Sequence, residues 1–171
     1  VLADLEELQG MFLTEGRQLR GRLRVDMSSG MARLLVLPQL PAFLAEHPQL
    51  EIELSATDRL VDVVREGFDC VLRGGTPQDS ALVARPLGVM HIVNCASPAY
   101  LARRGTPHGL EDLATHALVH YASVLGQRPS GFEYFDGEAY RLLPMGGAVT
   151  VNNVEAYHVA ALAGLGIIQV P

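Results

Sequence analysis

The run Ala160-Ala161-Leu162-Ala163-Gly164-Leu165-Gly166-Ile167-Ile168-Gln169-Val170-Pro171, entered through Asn152-Asn153-Val154-Glu155-Ala156, admits few folds. It reads as a helix whose glycine end feeds directly into an apolar strand. Small residues let a helix lie close on a sheet, and Gly164 and Gly166 allow a turn that an L-residue resists. Residues 166–170 have the apolar character of an interior parallel strand. An α/β ligand-binding fold is the first hypothesis that follows. A missing C-terminal portion is the second, because the sequence stops on this strand.

With 171 residues, 49% hydrophobic and only 19% charged, the chain has ample means to bury a core and does not have the composition of a disordered segment. The net charge of −6 excludes a surface that is a nucleic-acid-binding stripe throughout, which would be basic, so any DNA contact must come from elsewhere. All 13 basic residues are arginine. GC-rich codon usage accounts for this without invoking function, although guanidinium suits carboxylate recognition. Cys70 and Cys95 lack metal-ligand spacing and sit in apolar, strand-like runs, so both are expected as buried, reduced thiols. No run approaches the roughly 20 apolar residues of a membrane span, and no basic segment precedes an apolar one at the N-terminus. A cytoplasmic protein with no membrane partner is the expectation.

Along the chain, Leu2, Leu5, Leu8, Phe12 and Leu19 recur at helical spacing among charged residues, which predicts an amphipathic helix ending before Gly21. The alternation of Leu23-Arg24-Val25-Asp26-Met27 predicts a strand, and Ser28-Ser29-Gly30 supplies N-cap candidates for a helix over residues 31–46 that Pro38 and Pro41 should bend. Residues 50–55 predict a second strand, Thr57-Asp58 a cap, residues 59–66 a helix stopped by Gly67, and residues 68–72 a third strand. Strands separated by helices in this way argue for a parallel sheet with right-handed crossovers. Arg73-Gly74-Gly75-Thr76-Pro77 then lies at a strand's C-terminal end, where open α/β sheets place ligands. Residues 82–85 and 87–95 form an extended stretch able to walk between lobes. Beyond it come a helix capped by Ser97-Pro98 and closed by Gly105, a helical turn at residues 110–113 and a strand over residues 117–121. A hairpin turning at Asp136-Gly137 and a strand at residues 149–151 precede the closing helix.

These segments resemble, in number and order, the effector-binding region of LysR-type transcriptional regulators. The resemblance is carried by Gly21-Arg22-Leu23-Arg24-Val25, by Leu37-Pro38-Gln39-Leu40-Pro41-Ala42-Phe43 with Pro48, and by Glu66-Gly67-Phe68-Asp69-Cys70-Val71-Leu72-Arg73-Gly74-Gly75. It continues through Ala96-Ser97-Pro98-Ala99-Tyr100-Leu101, Asp112-Leu113-Ala114-Thr115-His116 and Asn152-Asn153 to Ala163-Gly164-Leu165-Gly166-Ile167. It implies an α/β, two-lobed, periplasmic-binding-protein-like (type II) domain, with mixed sheets, flanking helices and the end of a linker helix in front. The implied division is linker helix 1–20, first lobe 21–86 lacking its C-terminal return, crossover strand 87–96 and second lobe 97–171. The implied partners are a small-molecule effector between the lobes, DNA through an N-terminal winged helix-turn-helix that this chain does not contain, and a homodimer or homotetramer.

Ser28, Ser29 and Gly30 stand where a strand ends and a helix begins, so hydroxyls and free N–H groups can converge there on an anionic ligand. Capping uses the same geometry, and in the similar family this loop is a usual effector contact. Thr57 and Asp58 occupy the equivalent place after the second strand. Thr57 is the better effector contact, since Asp58 would repel a carboxylate and suits a cap. Arg73 can form a bidentate pair with a carboxylate, or a salt bridge to Asp69 or Glu66. In the second lobe, Tyr121 and Ser123 follow a strand while Asn152 and Asn153 precede a helix, Asn153 being also an ordinary N-cap.

Helix ends and one arginine thus favour a carboxylate-bearing effector. His116 and His120 are four apart on a strand-like segment, hence roughly 13 Å from each other and unable to share a metal. No nucleophile elbow, phosphate loop or dinucleotide fingerprint occurs, so neither catalysis nor a cofactor is expected. A solute-binding protein for transport shares the fold and is the competing reading.

Overall fold

Strand β1 (Arg20–Met27) is the centre of a parallel sheet in a computed structural model that describes residues 19–75, 82–126 and 130–171. The expected linker helix, residues 1–20, lies outside the described residues but for its last two, of which Arg20 already belongs to β1. On one side β1 pairs along its whole length with β2 (Gln49–Ala56), from Arg20↔Gln49 to Met27↔Ala56. On the other it pairs over Val25↔Cys70 to Met27↔Leu72 with β3 (Cys70–Leu72). The order β2-β1-β3 is the parallel arrangement that the strand and helix alternation predicts.

The crossover from β1 to β2 is helical but broken. Ser28 caps α1 (Ser29–Met31), which continues as a π turn over Ala32–Val36 closed by Leu37 N–H donating to the Ala32 carbonyl at 2.9 Å. The chain turns at Pro38, which lacks a donor, and resumes as α2 (Leu40–Glu46) with Pro41 in the first turn, where a missing N–H costs nothing.

The helix expected over residues 59–66 does not form. Its caps are committed elsewhere: the Thr57 hydroxyl donates to Asp26 Oδ2 at 3.0 Å, and the Asp58 carboxylate serves α1. A single turn remains, in which Asp62 accepts from Arg65 N–H and the Glu66 carboxylate takes both Arg59 guanidinium nitrogens at 2.9 and 2.6 Å.

A second set of elements begins at β4 (Val93–Cys95), the only strand within the extended stretch, and continues with α3 (Pro98–Arg104), where Ser97 accepts from Tyr100 N–H as expected. After a 3-10 turn (Asp112–Thr115) come β5 (His120–Tyr121), the hairpin β6 (Phe132–Phe135) and β7 (Tyr140–Leu143), β8 (Thr150–Val151), α4 (Val154–Leu162) and β9 (Ile168–Val170). Strands β5 and β8 are parallel, and a parallel bridge Leu118↔Ile167 joins the segment leading into β5 to that leading into β9.

Strand β9 departs from the expectation of a wholly parallel interior strand: it runs antiparallel to β4, from Val93↔Val170 to Cys95↔Ile168. Its apolar run reports burial, and burial does not encode the direction of the neighbour. Both cysteines are exposed, contrary to expectation. Cys70 opens an edge strand and Cys95 lies in β4, whose one ladder is to β9. Apolar sequence on an edge is not covered by a second neighbour.

Three clusters make the core. Val25, Met27 and Ala32 lie between the first sheet and α1, with Leu54 and Leu72 against them. Val119, Tyr157, Ala160, Ala161 and Ile168 bring α4 onto the segments of β5 and β9, which is the close packing that the alanines of that helix allow. On the opposite face, Tyr100, Leu113, Leu118, Phe132 and Ile167 join α3 and the hairpin. The hairpin turn is tied by Asp136, which accepts from Glu138 and Ala139 N–H and from Arg141 Nε; these donors hold its carboxyl down at about 2. The fold is thus two-lobed, one lobe around the β2-β1-β3 sheet and the other around the strand pairs β4–β9, β5–β8 and β6–β7.

Candidate functional site

The C-terminal end of β1 carries a charge where a parallel strand should be apolar. Asp26 is 0% exposed and its carboxylate is satisfied by the Arg73 guanidinium and the Thr57 hydroxyl. Arg73 is further held by donating to the carbonyls of Leu72 at 3.0 Å and Arg59 at 3.1 Å. A buried carboxylate requires such partners, since its charge is far costlier to desolvate than any single hydrogen bond repays. Arg73 is therefore a salt-bridge residue, as one sequence reading has it, but its partner is Asp26. Asp69 accepts Arg24 N–H at 2.7 Å instead, and Glu66 holds Arg59.

Two residues beyond the end of β2 lies the contact that joins the lobes. Asp58 accepts the Ser29 N–H and the Ser29 hydroxyl, both at 3.0 Å, and the Val154 N–H at 2.7 Å. Asp58 and Ser29 belong to the first lobe, whereas Val154 opens α4 in the second. The first-turn N–H groups of a helix have no intrahelical acceptors, and both helix starts direct such groups at this carboxylate. Asp58 is accordingly a cap, but of two helices remote in sequence and not of its own segment. Around it, Gly30 leaves its side-chain space to Val154, where an added Cβ would stand 3.6 Å from Cγ1, and Arg33 reaches Glu155 at 3.3 Å on the surface.

Tyr121 closes the second-lobe side. It is half-buried, packs edge-on against Tyr157 at 5.4 Å, and has its phenol pushed up to about 12, first by burial and then by the nearby negative charge of Asp58. A raised phenol favours the folded chain below pH 10, where the unfolded residue is still neutral, and that contribution is lost as pH rises toward 12. In an alkaline titration followed at 295 nm, Tyr121 should ionise only near pH 12, and replacing it with Phe should remove that late step.

The structure thus brings Ser28, Ser29, Gly30, Thr57 and Arg73, at the C-terminal ends of β1, β2 and β3, into the neighbourhood of Tyr121 at the end of β5. Ser28 caps α1 through Met31 N–H at 3.4 Å. Ser123 is half-buried just beyond Tyr121. Asn153 is the N-cap of α4, accepting Ala156 N–H at 2.8 Å, and the Asn152 side chain turns to Asn153 at 3.4 Å; both are exposed. Asp26, Asp58 and Tyr157 are the residues that sequence reasoning did not place in the site. For Asp26 a signal exists: a lone acid at the end of an otherwise apolar central strand.

His116 and His120 are both buried, the first touching the Tyr100 hydroxyl at 3.2 Å. Among the described residues no three His, Cys, Asp or Glu side chains are grouped to hold a metal, and no helix is long and apolar enough to cross a membrane.

Residues 16–171 match the family model described as the LysR substrate binding domain. Over all 171 residues the chain is 47% identical to the uncharacterized HTH-type transcriptional regulator YhjC of Escherichia coli, covering 100% of this chain and 57% of that protein. It is 35% identical over 127 residues to an uncharacterized HTH-type transcriptional regulator of Haemophilus influenzae, covering 74% and 44% respectively. Its fold is similar to that of the regulatory domain of CrgA, a LysR-type transcriptional regulator from Neisseria meningitidis. There the TM-score is 0.73 at 26% identity, over 89% of this chain and 73% of that one. The chain spans about half the length of the curated relatives it matches.

Proposed function

The chain belongs to the LysR-type transcriptional regulators, of which it is the substrate-binding domain, and from that premise we propose that it senses a small-molecule effector held between its two lobes. The observation that carries this reading is the convergence on one point, from opposite lobes, of the α1 and α4 helix starts and Tyr121. Groups that meet only when the lobes meet give a ligand a handle on their relative arrangement. A ligand biases that arrangement by the difference in its affinity for the two states, and only by that difference.

In this reading the effector contacts are drawn from Ser28, Ser29, Gly30, Thr57, Tyr121, Ser123, Asn152 and Asn153, while Arg73 supports them through Asp26. The effector acts on DNA binding through an N-terminal winged helix-turn-helix outside this chain, in a cytoplasmic homodimer or homotetramer. The division into linker 1–20, first lobe 21–86, crossover 87–96 and second lobe 97–171 belongs to the same proposal. In this reading the domain is a sensor and not a catalyst: the Ser29 and Thr57 hydroxyls are committed to the Asp58 and Asp26 carboxylates in the contacts that hold the site together.

The test is a thermal-shift screen of metabolites against the full-length regulator, followed by calorimetry on Ser29→Ala and Tyr121→Phe. Each variant should bind the hit about tenfold more weakly, the loss of one hydrogen bond in a partly desolvated site, and remain folded. A hit that binds both variants as it binds the parent would place the effector elsewhere.

A further inference from the structure

We infer that Asp58 determines the charge class of the effector: it sets the chain's own carboxylate on the N–H groups that face one another across the cleft, and so leaves the cleft to a neutral or cationic molecule. This rests on the interlobe reading of the site. The sequence-based expectation of a carboxylate effector has two supports, the helix starts and Arg73. Both are engaged by internal carboxylates. Ser29 and Val154 give three donors to Asp58, at 3.0, 3.0 and 2.7 Å, and Arg73 is held by Asp26 beneath it.

The charges of the cleft make the same point. Asp26 and Arg73 neutralise each other, and Arg33 is paired with Glu155 at the rim. Among the described residues, the groups that bond Asp58 are the N–H and hydroxyl donors of Ser29 and the N–H of Val154, none of them a cation. An incoming carboxylate placed beside Asp58 is repelled, and one placed on the same N–H groups must first displace a carboxylate that is tethered there and pays no entropy of association. Its apparent affinity is its intrinsic affinity multiplied by the fraction of time that Asp58 is away. A neutral or cationic group meets neither obstacle, and the Asp58 oxygens and the Tyr121 hydroxyl offer it acceptors.

The experiment uses the full-length regulator, with sodium acetate exchanged for sodium chloride at constant ionic strength and thermal denaturation as the readout. The parent protein should show no saturable response to acetate. Asp58→Ala, which empties the position, should be stabilised saturably, with an acetate affinity at least about tenfold above the parent's. The double variant Asp58→Ala, Val154→Pro should lose most of that response, because proline is tolerated at the first helical position but has no N–H to donate.

Acetate binding by the parent as tight as that of Asp58→Ala would overturn the inference, and so would an Asp58→Ala protein indifferent to acetate. If Asp58→Ala does not fold in chloride, recovery of folded protein in acetate is the supporting result and absence of recovery the overturning one. Failure here leaves the Ser29 and Tyr121 calorimetry untouched, so the two readings fail separately.

Discussion

Replacing Arg73 with alanine should destabilise the domain by about 3–5 kcal/mol, the usual consequence of removing one partner from a buried ion pair. The other partner, Asp26, is 0% exposed and keeps, among the described residues, the side-chain hydrogen bond from the Thr57 hydroxyl. An uncompensated carboxylate at the centre of a parallel sheet must then be protonated or reached by water, and either weakens the β1 end that positions α1. The double variant Asp26→Leu, Arg73→Met should recover much of the loss, since it removes both charges together. Urea denaturation of the parent, the single variants Asp26→Leu and Arg73→Met and the double variant measures the coupling directly. A single Arg73→Ala loss below about 1 kcal/mol, the range of exposed pairs, would mean that the guanidinium is a surface ligand and not a structural counter-ion. Loss of effector affinity in an Arg73 variant therefore does not by itself identify a contact, because the site and the fold depend on the same side chain.

How much of this was legible in the sequence follows the range of the interaction involved. Ser97-Pro98, Asn153 and Asp136-Gly137 announce a cap, a cap and a turn because the partners lie within three residues, and the structure has each of them as read. The parallel sheet was legible for the same reason: periodicity is local, and alternation of strands with crossovers leaves little choice of direction. The resemblance of ordered motifs to a known family carried the two-lobed architecture, which no local signal could.

What depended on distant partners was not legible. Residues 59–66 have helical spacing, yet Thr57 and Asp58, the caps such a helix would use, are drawn away to Asp26, Ser29 and Val154. The direction of β9 depends on β4, more than seventy residues earlier. Asp58 could be recognised as a cap from its type, but Val154, the helix start it serves in the other lobe, lies 96 residues away. The site was thus legible as a neighbourhood of loop ends, while the wiring that assigns each residue its partner was not.

The glycine run that most constrains the fold also holds one of its close backbone contacts. At Gly166 an added Cβ would stand 2.6 Å from the Ala117 carbonyl oxygen and 3.0 Å from the Val119 nitrogen. These are backbone atoms of the segment leading into β5, fixed by hydrogen bonds from Ile167 N–H to Ala117 at 2.8 Å and from Val119 N–H to Ile167 at 2.9 Å. A side chain can swing aside; a bridge between two strands cannot without parting. Gly166→Ala should therefore cost about 2–3 kcal/mol, toward the upper end for overpacking, although alanine is otherwise at home in such a run. The same substitution at Gly88, where an added Cβ meets nothing within 4 Å, should change stability by less than about 0.5 kcal/mol. Chemical denaturation of the two variants side by side decides the matter, because of the two added Cβ atoms only that at Gly166 would meet the backbone leading into the strand that carries Tyr121. Equal stabilities would mean that the close approach of these strands is not what holds the second lobe in register.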